Sequence, residues 1–163
     1  MRRIRAVLGT AVFMMLAPVF VAGVVPWAIE GWVFQPAPLW LRVPGAFLIG
    51  LGLIPLLDCF ARFALEGLGT PAPIAPTQRL VVSGPYRHVR NPMYVAVVLI
   101  LLGQAALFGD LRLLGYAAFV WLAFHVFVLV YEEPVLRRSH PDDYPPFFAA
   151  VPRWIPRLTP WEG

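Results

Sequence analysis

Two adjacent glutamates, Glu132 and Glu133, stand at the end of a long apolar run. Earlier in the chain the stretch YRHVRNPMY, residues 86 to 94, gathers two tyrosines, two arginines, a histidine and an asparagine at the entrance to another apolar run. Asn91-Pro92 is a helix-start signal: asparagine can cap the free amides of a first turn, and proline is tolerated there. Arg87 and Arg90 fit a helix N-terminus badly. Their charge opposes the macrodipole, so an anionic partner is expected, either a lipid phosphate or the carboxylate of a bound ligand. Glu132 and Glu133 pose the mirror problem, because two carboxylates at a helix C-terminus oppose the dipole and repel each other. The plain reading is a pair of solvated side chains. The chemical reading has one glutamate binding hydroxyls or an ammonium while the other pairs with an arginine such as Arg90.

His125 lies seven residues before Glu132 on the same helix face, as a hydrogen-bonding group between helices or as a catalytic group. Asp58 and Arg62, four apart, are placed for a local ion pair. Gly50-Leu51-Gly52 permits close approach of a neighbouring helix. The single cysteine, Cys59, excludes an internal disulfide and any cysteine-rich metal site. His88, His125 and His140 are too scattered to form a metal centre. No Ser/His/Asp arrangement, P-loop or Rossmann fingerprint occurs.

The elements that must position these residues are apolar. Hydrophobic residues make up 60% of the 163 residues and charged ones only 13%; the mean hydropathy is +0.72. An average soluble domain is about 25% charged, so composition alone points to an integral membrane protein of one domain. All thirteen basic residues are arginine, which points to GC-rich coding and a bacterial source. The pI of about 9.8 is assigned to anionic lipid headgroups rather than nucleic acid, because the arginines flank apolar runs. No cleavable signal is expected at the N-terminus.

Four spans are predicted, over residues 4–29, 43–63, 93–108 and 111–131, the last two joined at GDLR (109–112) as an antiparallel helical hairpin. Pro18 and Pro26 should kink or end the first span, and Pro55 the second. Arg2, Arg3, Arg5, Arg62, Arg79, Arg87, Arg90, Arg137, Arg138, Arg153 and Arg157 fall on one side, and only Arg42 and Arg112 on the other. That asymmetry predicts both termini in the cytoplasm. Trp27, Trp32 and Trp40 then mark the outer interface. A proline-rich loop (64–91) and a tail (132–163) lie on the inner side, the tail on the membrane surface.

LVVSGPYRHVRNPMY (80–94), a hairpin, and then EEPVLRRSHPDDYPPFFAAVPRWIP (132–156) together resemble the isoprenylcysteine carboxyl methyltransferase and phospholipid methyltransferase superfamily. Its pattern is an Arg-His-Pro-x-Tyr element, followed after a hairpin by Glu-Glu and a tyrosine-containing, Val-Pro-ending tail. The resemblance covers residues 78 to 156. It implies an all-α membrane enzyme that uses S-adenosylmethionine without a Rossmann domain, the cofactor lying between the start of the third span and the start of the tail. Carried over, Gln78, Leu80 and Val81 match the loop that lines the cofactor, and Tyr86 the tyrosine after a glycine turn. Asn91, Pro92 and Tyr94 match the His-Pro-x-Tyr element, and Glu132 and Glu133 the glutamate pair. Gly50 and Gly52 resemble a Gly-x-Gly cofactor contact of the phospholipid branch. Asn91 replaces the usual histidine and cannot titrate. Val128 stands where prenylcysteine enzymes carry a basic residue.

The expected function is therefore methyl transfer from S-adenosylmethionine to a lipophilic acceptor at the cytoplasmic face of a bacterial inner membrane. Arg90 and His125 are the candidate catalytic groups, Arg90 also serving the cofactor, and no metal or nucleic acid is involved. The expected acceptor is a carboxylate. A phospholipid amine, or a non-catalytic sensor or scaffold that keeps the pocket, is the alternative.

Overall fold

The computed structural model describes Val12, residues 17–65 and residues 80–162, which are helical with no strand among them. Six α-helices position the site: α1 (Val25–Glu30), α2 (Leu39–Leu65), α3 (Pro92–Phe108), α4 (Leu111–Phe127), α5 (Glu133–Ser139) and α6 (Tyr144–Ala150). A π-helical turn (Phe20–Val24) leads into α1, and another (Val128–Glu132) joins α4 to α5. Residues 39–62 and 111–139 form two helices long and apolar enough to cross a membrane. Their outward side chains fit that role: Phe47 is 70% exposed, Ile54 73% and Phe119 68%.

Both π turns come just before a proline. Pro26 and Pro134 have no N–H, so the helix cannot close its regular bond one turn back. Instead Val25 N–H reaches Phe20 O and Glu133 N–H reaches Val128 O, five residues back. The carbonyls freed ahead of Pro26 find side chains. Ala22 O accepts from Gln104 Nε2 of α3 at 2.6 Å, and Val21 O from the Tyr116 hydroxyl of α4 at 2.9 Å. Pro26 was expected to kink or end the first span; the helix widens there and continues to Glu30.

The hairpin between α3 and α4 forms at the expected tip. Gly109 ends α3 at φ 76°, a left-handed conformation that favours glycine, and Asp110 caps α4 by accepting from Arg112 N at 2.8 Å. The more extensive partner of α3, however, is α2. Glycines explain the preference, because the two backbones touch at Gly45, Gly52 and Gly103. Leu56 and Phe60 of α2, Ala96, Val97, Ile100 and Leu101 of α3, and Ala117 and Val120 of α4 close the core between them.

Two boundaries differ from the sequence expectation. The second helix begins at Leu39, because the Pro38 carbonyl accepts the first-turn amides of Leu41 and Arg42. The fourth does not end at residue 131. The π turn absorbs Pro134 and the helix runs on to Ser139, so the glutamates lie within it and the tail proper starts later. Residues 4–11 and 13–16 of the first span, and residues 66–79 of the 64–91 loop, lie outside the described residues.

The tail folds back over the YRHVRN stretch. Arg90 N–H donates to Pro152 O, Arg157 N–H to His88 O and Trp161 N–H to Arg87 O, each at 2.9 Å. His88 Nδ1 adds a bond to Arg157 O at 2.8 Å, and the Arg87 guanidinium donates to Trp161 O. Tyr144, Phe147 and Val151 bury themselves against Leu80 and Val82. Ile155 and Leu158 stay exposed along the tail's edge.

Candidate functional site

The 3-10 turn Gly84–Arg87 aims Tyr86 into the protein. Gly84 has φ 54°, a left-handed conformation that favours glycine, and the flexible Arg62 guanidinium packs over the space a β-carbon would take. Arg62 itself is held by Asp58 at 2.9 Å, the ion pair expected from their spacing. Tyr86 is buried with Cys59 and Val81. Burial pushes its phenol well above the ordinary value, and nearby Cys59 and Glu132 push the same way.

One turn into α3, the Tyr94 hydroxyl donates to Glu132 Oε2 at 2.8 Å, while its ring packs on Phe124 at 4.5 Å between centroids. Glu133 turns to another set of partners. Arg90 Nη1 lies 3.2 Å from its carboxylate, and Arg153 forks onto both oxygens at 2.7 and 3.1 Å. Arg90 and Glu133 are each 9% exposed at the side chain. The Arg90 guanidinium also lies 4.0 Å from the centre of the Phe148 ring and beside the buried Tyr144 phenol. Its Nε is buried and makes no hydrogen bond among the described residues. The two glutamates thus divide their work: one holds a tyrosine, the other an arginine pair.

Asn91 occupies the N-cap position of α3, but its side chain caps nothing. Its Nδ2 donates instead to Arg153 O at 3.1 Å, pinning the tail to the helix start. This corrects the capping role read from the Asn-Pro pair. Pro92 has no N–H to satisfy, and the partly buried carbonyl of Arg153 accepts the side-chain amide instead. Asn91→Ala should therefore destabilise the protein by about 1 kcal/mol. Limited proteolysis should cut the tail faster in that variant, and an unchanged cleavage rate would count against the pin.

His125 does not reach the glutamates through any hydrogen bond. Its Nδ1 accepts from Trp154 Nε1 at 3.0 Å, and its ring stacks on Trp121 at 5.2 Å. Leu80 and Val81 serve packing clusters, Pro92 is buried at the head of α3, and Gln78 lies outside the described residues. Gly52 faces the α3 backbone, whereas a β-carbon at Gly50 would meet nothing within 4 Å. Val128 is fully buried core. A cavity of about 630 Å³ opens on the far side of the 3-10 turn, lined by Asp58, Arg62, Ser83, Gly84, Pro85, Arg87, His88 and Pro160 rather than by the glutamates. Sequence reasoning missed Tyr144, Phe148, Arg153 and Trp154 as members of the cluster. The signal available was a tail with too many aromatics for free solution.

The sequence matches the phospholipid methyltransferase family over residues 40–143, well over half of the chain. The chain belongs to the phospholipid methyltransferase family. That family lies within the superfamily whose motifs the sequence resembles, and it brings methyl transfer and lipid-type substrates with it. Together with the two long apolar helices, it marks a membrane protein. The family match takes in Arg90, Asn91, Tyr94 and both glutamates but stops short of Phe148, Arg153 and Trp154. No curated protein and no solved structure matches the chain.

Proposed function

We propose that this chain is an S-adenosylmethionine-dependent methyltransferase acting on a lipophilic acceptor at the cytoplasmic face of a bacterial inner membrane. In this reading the protein has four spans and both termini inside. One observation carries it: an otherwise apolar bundle holds Tyr94–Glu132 and Arg90–Glu133–Arg153 side by side, with Glu133 buried and Arg90 only 9% exposed at the side chain, walled by Tyr86, Tyr144 and Phe148. Buried charge is expensive and is kept where it binds something or holds the site that does.

The donor set suits the cofactor. Glu132 can take an ammonium or ribose hydroxyls, the buried Nε of Arg90 can take a carboxylate, and the aromatic rings suit a sulfonium or adenine. The bound cofactor would supply an electrophilic methyl group. The chain's own part is to position the acceptor and exclude water, which the docked tail favours by covering residues 87–91. A carboxylate acceptor is already ionised near neutral pH and needs no general base; an amine must first lose a proton. A phospholipid amine is the second reading, in keeping with the lipid-type substrates of the matched family.

Titration calorimetry with S-adenosylhomocysteine on detergent-solubilised protein tests this. Wild type should bind, and Glu132→Ala and Tyr94→Ala should each weaken binding about tenfold or more, the scale of a lost charge-assisted bond. A wild type that does not bind ends the methyltransferase reading, and binding indifferent to both changes ends the site assignment. Radiolabelled methyl transfer into a lipid extract then separates enzyme from sensor. Base-labile label identifies an ester, base-stable label an amine.

A further inference from the structure

His125 sits in the apolar helix α4, half-exposed, between two indoles. Trp154 Nε1 donates to its Nδ1 at 3.0 Å, and an indole N–H can only donate. Nδ1 must therefore carry the lone pair, and the proton of the neutral ring sits on Nε2. Trp154 fixes the tautomer much as a carbonyl fixes that of a metal-binding histidine, with the opposite sense. Trp121 stacks on the ring at 5.2 Å and 18°, is itself 42% exposed, and gives the donor an apolar flank. Nε2 has no hydrogen-bond partner among the described residues.

The position of this donor is informative. Trp154 follows Arg153, which grips Glu133, so the partner of His125 is the sequence neighbour of a member of the Arg90–Glu133–Arg153 cluster. A fixed N–H donor beside an accessible aromatic ring, on an apolar helix, matches an amphiphile whose headgroup is an oxygen acid. It does not match an ammonium group, which offers only donors of its own; an aminophospholipid could be held here only through its phosphate, which leaves the amine away from the donor. Nor can the ring deprotonate an amine, since one nitrogen is occupied by Trp154 and the other already bears a proton. Ester formation on a carboxylate releases no proton, so the ring has none to accept.

We propose that His125 orients the methyl acceptor, donating Nε2–H to the carboxylate of a long-chain molecule lying against Trp121, and thereby selects carboxylates over amines. This rests on the methyltransferase reading above and names its substrate class. The assignment makes His125 a specificity residue rather than a general base.

The test uses the full chain in detergent micelles, histidine side chains labelled with nitrogen-15, and two probes of equal chain length, hexadecanoate and hexadecylammonium. The signal lost in His125→Gln identifies the residue. It should report a proton on Nε2 and should shift with hexadecanoate but not with hexadecylammonium. His125→Phe should weaken hexadecanoate binding about tenfold, and His125→Gln, which retains an N–H donor, should recover most of it. S-adenosylhomocysteine should bind wild type and both variants alike. A proton on Nδ1, equal response to both probes, or hexadecanoate binding unchanged in His125→Phe overturns the proposal. Failure of wild type to bind S-adenosylhomocysteine overturns the cofactor reading instead, and the hexadecanoate comparison then decides the His125 site by itself.

Discussion

Glu133→Leu should destabilise the protein by about 3–5 kcal/mol, the usual consequence of removing one member of a buried ion pair. For a chain of this length that is a fall in melting temperature of roughly 10 °C, readable by thermal denaturation in detergent. The loss falls mainly on Arg90. Arg153 has a side chain 28% exposed and can swing toward water, whereas Arg90 is 9% exposed and enclosed by Phe148 and Tyr144. Arg153→Ala is accordingly expected to be milder, about 1–2 kcal/mol, because Glu133 keeps Arg90. The double variant Arg90→Met with Glu133→Leu removes both charges at once and should recover most of the lost stability, since well-packed apolar replacements of buried pairs are often neutral. It should nevertheless fail to bind S-adenosylhomocysteine, which separates the ligand's need for Arg90 from the fold's need for charge balance. A Glu133→Leu protein as stable as wild type would show that Arg90 finds water, and the cluster would then be a surface feature.

That pairing was legible because both partners are badly placed by local rules. Arg90 opposes the dipole at the start of one helix, the sequence places Glu133 at the end of the next, and a tight hairpin brings the two together, although the helix runs on past Glu133 to Ser139. Arg153 had no such signal. It lies in a tail without periodicity, and only the folded contacts of Trp154, Phe148 and Val151 show that the tail is packed. Asn91 misled for a related reason: Asn-Pro reads as a cap on its own, and the competing acceptor, Arg153 O, is remote in sequence. Pro26 and Pro134 each promise a break, but the helix can instead widen by one residue when Gln104 and Tyr116 satisfy the freed carbonyls, as they do at Pro26. Sequence shows the missing donor and not the remote groups that answer it.

Gly103→Leu should be the most damaging single change in the bundle away from the polar cluster. A β-carbon there would lie 2.7 Å from Gly45 O and 2.8 Å from Ile49 N, so the obstacle is backbone and cannot rotate aside. Gly45 reciprocates, its β-carbon falling 2.6 Å from Leu107 N and 2.8 Å from Gly103 O. The helices α2 and α3 must part to admit any side chain, which should cost about 3 kcal/mol or more. Gly50→Leu is the matched control. It lies on the same helix as Gly45, meets nothing within 4 Å, and replaces glycine by a good helix former. Its stability should stay level or rise by up to about 1 kcal/mol. The consequence for function follows from what the two helices carry. Cys59 and Arg62 near the C-terminal end of α2 hold Tyr86 and Gly84, and α3 begins with Asn91 and Tyr94. Parting the pair therefore displaces Tyr86 from Tyr94 and Glu132. In Gly103→Leu, S-adenosylhomocysteine affinity should fall along with melting temperature, although no ligand-facing residue has changed, whereas Gly50→Leu should keep both. Loss of binding in Gly50→Leu at unchanged stability would instead return Gly50 to the cofactor contact that the Gly-x-Gly resemblance implies.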